Sequence, residues 1–325
     1  MSPAPLLEVR DLRVEFPTRR GTLVAVDGVS FAIEPGEVLG VVGESGAGKS
    51  LTGMAVIGLL EPPGRIGAGE ILLEGRRIDR LPAEEMRRLR GRRIGAIFQD
   101  PLTSLNPLYT VGDQLVETIR THLELDRGQA RRRALQLLDE VGIPAPGARI
   151  DHYPHQFSGG MRQRVVIALA VAAGPRLIIA DEPTTALDVS IQAQIIALLK
   201  MLAREHGTAV MLITHDMGVI AETAHRVAVM YAGRIAEIGP VREVLQAPRH
   251  PYTVGLMGSI PRLGAGAGKR HARLVQIEGA MPRLNAIPPG CAFHPRCPRR
   301  FERCGAERPE LLPAGAARAS CWLYG

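Results

Sequence analysis

Short runs of apolar and β-branched residues alternate along this chain with longer amphipathic stretches. This alternation predicts a mostly parallel sheet flanked by helices, which is an α/β architecture. The runs at 176–181 and 209–214 are almost continuously apolar and are typical of strands covered on both faces. Another buried strand is predicted at 37–42, where it leads through a glycine-rich turn into an apolar helix over 50–60.

Two regions depart from this alternation. Residues 6–16 and 24–33 have the pattern of strands and are joined by the turn-rich segment TRRGT, which predicts a small antiparallel sheet ahead of the main one. Between residues 111 and 154 the apolar positions recur every three or four residues. This spacing predicts a helical insertion, which we place at about 110–157.

The composition limits the class of protein. The chain has 325 residues, of which 46% are hydrophobic and 22% charged, as expected for one large globular domain or two modest ones. Glycine, proline or charge interrupts the apolar runs well before the roughly 18–20 residues that a membrane-spanning helix needs. The first residues also lack the pattern of a secretory signal. We therefore expect the chain to reside in the cytosol.

The charge distribution marks a boundary. The net charge is +7, and the residues from Pro251 onward hold 11 basic against 4 acidic side chains, so the excess lies in this tail. The tail also holds 9 of the 25 prolines and all four cysteines. We therefore predict a core domain of 1–250 and a C-terminal extension of 251–325. Such an end is typical of a solvated extension, which we favour, or of a surface for lipid headgroups or nucleic acid.

The strongest local signal follows the strand predicted at 37–42. It matches the pattern G-x-x-x-x-G-K-S/T between a predicted strand and a predicted helix. Its glycines let backbone N–H groups surround a polyphosphate at the positive end of the helix, Lys49 supplies a cation, and the Ser50 hydroxyl suits Mg²⁺. The segment consists of Gly43, Glu44, Ser45, Gly46, Ala47, Gly48, Lys49 and Ser50.

Two carboxylates end the apolar strand at 176–181. In an open α/β sheet, ligands bind at the carboxyl ends of the strands, so Asp181 and Glu182 are expected to face the same crevice as the glycine-rich loop. Asp181 is suited to the Mg²⁺ shell, and Glu182 can act as the general base that polarises an attacking water.

Three further features have no role in a generic phosphate-binding fold. Gln99 follows the apolar run IGAIF, Ser158-Gly159-Gly160 precedes a helix predicted at 165–172, and His215 ends the strand predicted at 209–214. Ser158 and its glycines can present a hydroxyl and a helix N-terminus to an anion, and an imidazole at His215 can contact a γ-phosphate. Taken singly, each also fits a structural role as a turn amide, a helix cap or a core-edge histidine.

Taken in order, these features resemble the nucleotide-binding subunits of ATP-binding cassette (ABC) transporters, over residues 6–325. The phosphate loop, glutamine loop, signature FSGGMRQR, acidic strand end, the turn Thr185-Ala186-Leu187-Asp188 and the switch histidine follow one another as in that family. The run QDPLTSLNPLYTVGDQL, the signature and the segment His250-Pro251-Tyr252-Thr253 are most similar to the ATPase subunits of oligopeptide, dipeptide and nickel importers.

The resemblance implies a role for each matching residue. The signature departs from the commoner LSGGQ, with Phe157 in place of Leu and Met161 in place of Gln. It would complete the ATP site of a second subunit, and Gln99 would contact Mg²⁺ or the attacking water and sense the membrane partner. The implied nucleotide contacts are Phe16 (stacked on adenine), the loop from Gly43 to Leu51, Ser158, Gly159, Gly160 and Asp188; the implied catalytic residues are Glu182, His215 and Gln99; the implied Mg²⁺ ligands are Ser50, Gln99 and Asp181.

The resemblance also implies cofactors and partners. ATP and Mg²⁺ would bind each subunit, and the working unit would be a dimer, commonly with a different ATPase chain, on two transmembrane permease subunits. It would lie peripherally on the cytoplasmic face of the inner membrane, reached indirectly by an extracytoplasmic solute-binding protein. Peptides are the favoured cargo and nickel the alternative. A soluble ATPase acting on nucleic acid or ribosomes is disfavoured, since coiled-coil arms and a second cassette are missing. A purely regulatory module is disfavoured because Glu182 and His215 are present.

The tail cysteines have the spacing C-x5-C-x6-C-x16-C. A cytosolic setting argues against stable disulfides, and no gap has the C-x2-C form of a zinc ribbon. The resemblance implies a 4Fe–4S cluster, because some peptide-importer ATPases hold one through tail cysteines. Zinc and reduced thiols remain alternatives. The residues concerned are Cys291, Cys297, Cys304 and Cys321.

Overall fold

A computed structural model describes residues 4–185, 187–259 and 276–325. They form two β-sheets with helices packed between and against them. The strands are β1 (Leu7–Thr18), β2 (Gly21–Ile33), β3 (Val38–Val42), β4 (Arg65–Leu73), β5 (Arg76–Arg77), β6 (Ile94–Ile97), β7 (Leu177–Asp181), β8 (Ala209–Ile213), β9 (Arg226–Tyr231), β10 (Arg234–Pro240), β11 (Leu312–Ala314) and β12 (Ala317–Ala319). The helices are α1 (Lys49–Val56), α2 (Ala83–Leu89), α3 (Pro101–Ser104), α4 (Val111–His122), α5 (Arg127–Glu140), α6 (Pro146–Arg149), α7 (Gly159–Val171), α8 (Val189–His206), α9 (Met217–Thr223), α10 (Val241–Gln246), α11 (Pro251–Gly258) and α12 (Glu302–Ala306).

The larger sheet has the strand order β11-β12-β10-β9-β3-β8-β7-β6. Its pairs from β9 to β6 are parallel, and those from β9 to β11 are antiparallel. Both faces are buried, because alternate residues of one strand belong to two different apolar clusters: Val38 and Val42 of β3 to one, and Leu39 and Val41 to the other. The predicted parallel sheet covered on both faces is therefore confirmed.

The smaller sheet is antiparallel, with the order β2-β1-β4-β5. Helix α1 lies between the two sheets and contacts β1, β2 and β4 on one side and β7 and β8 on the other. This confirms the predicted antiparallel sheet. The helix is shorter than predicted and ends at Val56, because the chain turns at Gly58, which has a φ of +64°.

The segment predicted to be a helical insertion contains α4, α5 and α6. Helices α4 and α5 share with α7 and α8 the apolar cluster that contains Val38 and Val42. Asp126 starts α5 with a capping box that it forms with Gln129. Helix α7 begins at Gly159, six residues before the predicted start at Val165, because the Ser158 hydroxyl accepts the N–H of Met161 and caps it there.

The described part of the C-terminal extension packs against the core. Strand β12 pairs with β10 and so extends the larger sheet, and Phe293 is buried against the rings of Tyr231 and Tyr252. The expectation of a solvated extension is therefore wrong for residues 276–325, whose short strands and scattered apolar side chains carry no strong sequence pattern. The domain boundary at 250 stays a prediction. Within the described ranges, no helix is both long and apolar enough to cross a bilayer.

A buried polar junction joins β10 to α11. The carboxylate of Glu237 accepts the backbone N–H groups of Arg249 and His250, and His250 Nδ1 accepts the N–H of Tyr252 at 3.0 Å and caps α11. Burial lowers the pKa of His250 to about 4, although a hydrogen bond with the backbone of Ser320 opposes this shift. The folded protein therefore holds this imidazole neutral.

This junction predicts a loss of stability in acid. Below pH 6.5 the unfolded chain protonates His250 and the folded chain does not, so the free energy of unfolding falls between pH 6.5 and 4 by about 3 kcal/mol from this residue. His250→Asn keeps an acceptor for the Tyr252 N–H and removes the titration. We expect urea titrations followed by circular dichroism to show a smaller fall in this variant. Equal falls in both proteins would contradict the prediction.

Candidate nucleotide-binding site

The glycine-rich loop connects β3 to α1 at the carboxyl end of the parallel strands. Three of its glycines have positive φ values, of 151° at Gly43, 82° at Gly46 and 98° at Gly48. A Cβ atom at Gly43 would lie 2.3 Å from the carbonyl oxygen of Met230, so the backbone conformation and the space both require glycine there. No side chain caps α1 at Gly48, and its first turn contains no acidic residue. This end of the helix is therefore suited to an anion.

Lys49 lies inside this loop and is 7% exposed. Its Nζ donates to the carbonyl oxygens of Gly43, at 2.9 Å, and Glu44, at 3.2 Å. Burial lowers the pKa of Lys49, and the carboxylates of Glu182 and Asp181 act in the opposite direction. The loop, the cation and both acidic residues predicted from the sequence thus meet at one place.

Asp181 lies at the end of β7, where burial raises the pKa of its carboxyl group. The Ser50 hydroxyl hydrogen-bonds to this carboxyl group and lowers the pKa in part. The Oδ1 atom of Asp181 is buried without a hydrogen-bond partner among the described residues. A hydroxyl beside an unsatisfied carboxylate oxygen matches the oxygen donors that Mg²⁺ prefers.

Glu182 is the next residue, with a φ of +48°, which is uncommon outside glycine. Its Oε2 accepts hydrogen bonds from Gln99 Nε2 at 3.0 Å and Thr185 Oγ1 at 2.8 Å, and its Oε1 lies 3.1 Å from His215 Nδ1. Burial raises the pKa of Glu182, but hydrogen bonds with His215 and Thr185 outweigh it and hold the pKa below its usual range. This carboxylate is ionised at neutral pH and is held by three side chains.

Two of the polar contacts near Glu182 were not assigned from the sequence. Thr185 was noted only as part of a turn, yet its hydroxyl fixes the carboxylate. Asp216 accepts the Gln192 side-chain amide at 3.0 Å and so ties α8 to the residue after His215. In the sequence, the only indication of the Thr185 contact is that a residue with a hydroxyl group stands three residues after Glu182.

The signature segment has no hydrogen bond to this cluster among the described residues. Ser158 and Gly159 are exposed at the N-terminus of α7, and within the described residues neither forms a hydrogen bond with the loop or with Glu182. A Cβ at Gly159 would meet nothing within 4 Å, whereas one at Gly160 would lie 2.8 Å from Ile191. Phe157, which departs from the common signature, is buried. The signature is thus open to solvent at Ser158 and Gly159 and packed against the protein at Phe157 and Gly160.

The other residues predicted to contact the nucleotide lie on β1, in α1 and at the start of α8. Phe16 lies on β1, with its ring packed over Gly64, where a Cβ would approach it to 2.7 Å. Leu51 lies in the first turn of α1 and packs against the core. Asp188 immediately precedes α8, and in the turn that contains it Ala186 lies outside the described residues.

The C-terminal extension reaches the loop, which the sequence did not indicate. Arg296 pairs with the Glu44 carboxylate through two hydrogen bonds, of 2.7 and 3.0 Å, and the Glu44 N–H donates to the Tyr252 hydroxyl at 2.9 Å. The Arg296 side chain is 7% exposed and that of Glu44 is 29% exposed. A bidentate, mostly buried pair is more strongly held than an exposed ion pair, which contributes about 0–1 kcal/mol.

The four cysteines line one small cavity in the extension. Cys304 and Cys321 are buried, and burial raises the pKa of Cys291 to about 11. In the part of the chain that the structure describes, no three or more His, Cys, Asp or Glu side chains are arranged to hold a metal ion. The predicted cysteine group is therefore gathered at one place but not arranged as a metal-ion site.

Comparisons with known proteins agree with this arrangement. The profile of a family described as "ABC transporter" matches residues 26–185, and one described as "Oligopeptide/dipeptide transporter, C-terminal region" matches 236–304. The dipeptide transport ATP-binding protein DppD of Bacillus subtilis is 49% identical over 98% of this chain and 94% of its own length. DppD of Escherichia coli is 47% identical over 98% of this chain and 96% of its own length. A dimeric post-hydrolysis structure of the ATP-binding cassette MJ0796 with ADP and Pi is 28% identical, with a TM-score of 0.66 over 73% of this chain and 99% of that chain.

Proposed function

This chain belongs to the ABC transporter family of ATP-binding subunits, and we propose that it hydrolyses ATP to drive the import of peptides across a membrane. One observation carries the proposal: Lys49, the Ser50–Asp181 pair and the ionised Glu182 converge beside a glycine-rich loop at the carboxyl edge of the sheet. That is the set of groups that phosphoryl transfer from a nucleoside triphosphate requires.

We propose the binding roles from the geometry of the loop and, for Phe16 and Gln99, from the resemblance to ABC ATPases. The loop amides and Lys49 hold the phosphates, and Phe16 stacks on the adenine. When bound, Mg²⁺ neutralises and orients the phosphate oxygens, and Ser50, Asp181 and Gln99 are the residues that would hold it. The unsatisfied Oδ1 of Asp181 supports this assignment.

Glu182 acts as the general base. An attacking water loses a proton to the Glu182 carboxylate as its oxygen bonds to the γ-phosphorus, and the bond from that phosphorus to the β,γ-bridging oxygen breaks. The products are ADP and inorganic phosphate. Gln99, Thr185 and His215 position the carboxylate, and the low pKa of Glu182 keeps it unprotonated at neutral pH.

The complete site requires a second subunit. Ser158, Gly159 and Gly160 present a helix N-terminus that is open at Gly159 and, among the described residues, forms no hydrogen bond with the chain's own loop, so we propose that they cap the nucleotide of the partner, with Asp188 near the same seam. ATP then favours the closed pair because only the closed pair contacts it from both sides, and hydrolysis removes the γ-phosphate contacts.

We further propose that the partner is a different ATPase chain and that the pair sits on two permease subunits at the cytoplasmic face of the inner membrane. A solute-binding protein would act indirectly from the other side. The helical insertion and the segment after Gln99, where Leu108 is 80% exposed and Tyr109 54% exposed, would contact the permease. The two relatives described above are dipeptide transport ATP-binding proteins, which supports peptides as cargo, and nickel is the alternative.

Glu182→Gln tests the catalytic assignment. The amide keeps the shape of the side chain and removes the base, so we expect ATP turnover of the assembled transporter to fall by about 10²–10⁴-fold with ATP still bound. Turnover is measured as released phosphate, and ATP binding by equilibrium titration. Glu205→Gln, at an exposed position near the end of α8, is the matched control and should keep normal turnover. Unchanged turnover in Glu182→Gln would refute the assignment.

Alanine substitutions at Gly159 and Gly160 distinguish a loss of the contact with the partner from a loss of stability. Gly159→Ala adds a methyl group on the open face, so its stability should stay equal or rise by up to about 1 kcal/mol, while ATP turnover falls by at least about tenfold because the approach to the partner nucleotide is blocked. Gly160→Ala crowds Ile191 and should lose stability. Urea unfolding and phosphate release measure both effects. Normal turnover in a stable Gly159→Ala would contradict the dimer proposal.

We also propose that the four tail thiols hold a 4Fe–4S cluster. Their position around one cavity supports this, because each thiolate of such a cluster binds a different iron and the sulfurs need not meet at a single ion. A bound cluster would link segments of the extension that have little core of their own.

Anaerobic purification tests the cluster. We expect iron and sulfide in equal amounts and a brown chromophore, and we expect all three to be lost in Cys304→Ser. Their absence from the anaerobic wild-type protein would exclude the cluster. Zinc in place of iron, detected by elemental analysis, would instead support the zinc alternative.

A further inference from the structure

The side chain of Arg296 lies at the contact between the C-terminal extension and the core. It projects from a tight turn in which His294 N–H bonds to the Cys291 carbonyl and Cys297 N–H to the His294 carbonyl. Its guanidinium lies 5.8 Å from the ring centre of Tyr231 and 5.9 Å from that of Phe293. Two aromatic rings thus lie beside this cation.

Every N–H group of the guanidinium has an acceptor. Nε donates to the carbonyl of Glu278 at 2.8 Å, and Nη1 reaches the hydroxyl of Tyr231 at 3.3 Å. Nη2 has the carbonyls of Ile277 and Gly279 within 3.4 Å. The shortest contact of each terminal nitrogen is nevertheless with the Glu44 carboxylate. The extension therefore holds the arginine in place, and the arginine holds Glu44.

The backbone of Glu44 forms several of the hydrogen bonds that hold the phosphate loop in its conformation. Its carbonyl oxygen accepts the N–H of Ala47 at 3.1 Å and Lys49 Nζ at 3.2 Å. Its own N–H is fixed by the Tyr252 hydroxyl from α11. Groups at or beyond residue 250 thus fix the side chain and the amide of Glu44, and its carbonyl in turn contacts the cation that faces the phosphates.

We propose that Arg296 is a positioning residue for nucleotide binding, through which the C-terminal extension holds the phosphate loop in its binding shape. This inference rests on the nucleotide site proposed above. The extension also docks through contacts in which Arg296 has no part: β12 pairs with β10, and the Arg308 side chain bonds to Asp27. The pair with Glu44 adds a link from that docked extension to the loop.

The test compares the wild-type chain with four variants, by titration of each purified chain with Mg·ATP and by the KM and kcat of ATP hydrolysis by the transporter assembled with it. In Arg296→Met we expect ATP to bind about tenfold more weakly and KM to rise equally, with kcat within about twofold of wild type, because the link carries charge-assisted hydrogen bonds but no reacting group. Glu44→Gln should weaken binding in the same direction. The double variant should be no weaker than the weaker single one. Arg296→Lys, which keeps one charged contact, should recover part of the affinity.

The matched control is Arg303→Met in the same extension. Arg303 stacks over Trp322 at 3.6 Å and pairs with Glu307, so its loss perturbs the extension without touching the loop. Its ATP affinity should equal that of wild type even where its thermal stability falls. The proposal is overturned if Arg296→Met binds ATP normally, if Arg303→Met weakens binding equally, or if the two single effects simply add. Should Arg296→Met fail to fold, Glu44→Gln and Arg296→Lys decide alone, and normal ATP affinity in both overturns the proposal.

Failure of this inference is distinguishable from failure of the nucleotide site. Lys49→Ala removes the cation inside the loop without touching Arg296. If Lys49→Ala binds Mg·ATP as wild type does, the site itself is misassigned and the inference falls with it. If Lys49→Ala loses binding while Arg296→Met keeps it, the site stands and only the link from the extension is refuted.

Discussion

The burial of a single ammonium group shapes this whole edge of the sheet. A charge removed from water is costly unless hydrogen bonds and opposite charges surround it. Lys49 receives both, from two carbonyl groups of its own loop and from the carboxylates of Asp181 and Glu182. The loop after β3, the start of α1 and the end of β7 carry these groups and must therefore keep their relative positions. The parallel pairing of β3 with β8 and of β8 with β7 provides that rigidity.

The two carboxylates next to this cation differ in surroundings, and this difference separates their roles. Asp181 is the more buried, its pKa is raised, and one oxygen has no partner among the described residues, as suits a group that awaits a divalent cation. Glu182 is held by three side chains and its pKa is lowered, as suits a base. Two adjacent carboxylates thus acquire different chemistry because one is more buried, beside Ser50, and the other accepts hydrogen bonds from polar side chains.

The sequence predicts those parts of the site whose residues are consecutive along the chain, and it does not predict contacts between residues that are far apart in the chain. The glycine-rich loop, Asp181 and Glu182 could be predicted because each is written in a few consecutive residues next to a buried strand. The link between Glu44 and Arg296 spans 252 residues, and an arginine in an arginine-rich tail carries no local signal of a partner. The same holds for β12, a strand of three residues that joins the main sheet, so the extension was wrongly expected to be solvated.

The position of the extension bears on how the cassette can move. A phosphate loop must fit the nucleotide closely, whereas a dimer that opens and closes needs a loose seam, so the two requirements are met best on different sides of the site. In the dimer proposed above, the exposed Ser158 and Gly159 would lie at the seam, whereas Tyr252 and Arg296 hold the loop through contacts among buried aromatic rings. With a firmly held loop and an exposed signature segment, the release of one phosphate in the proposed dimer would act on the seam instead of being absorbed by the loop.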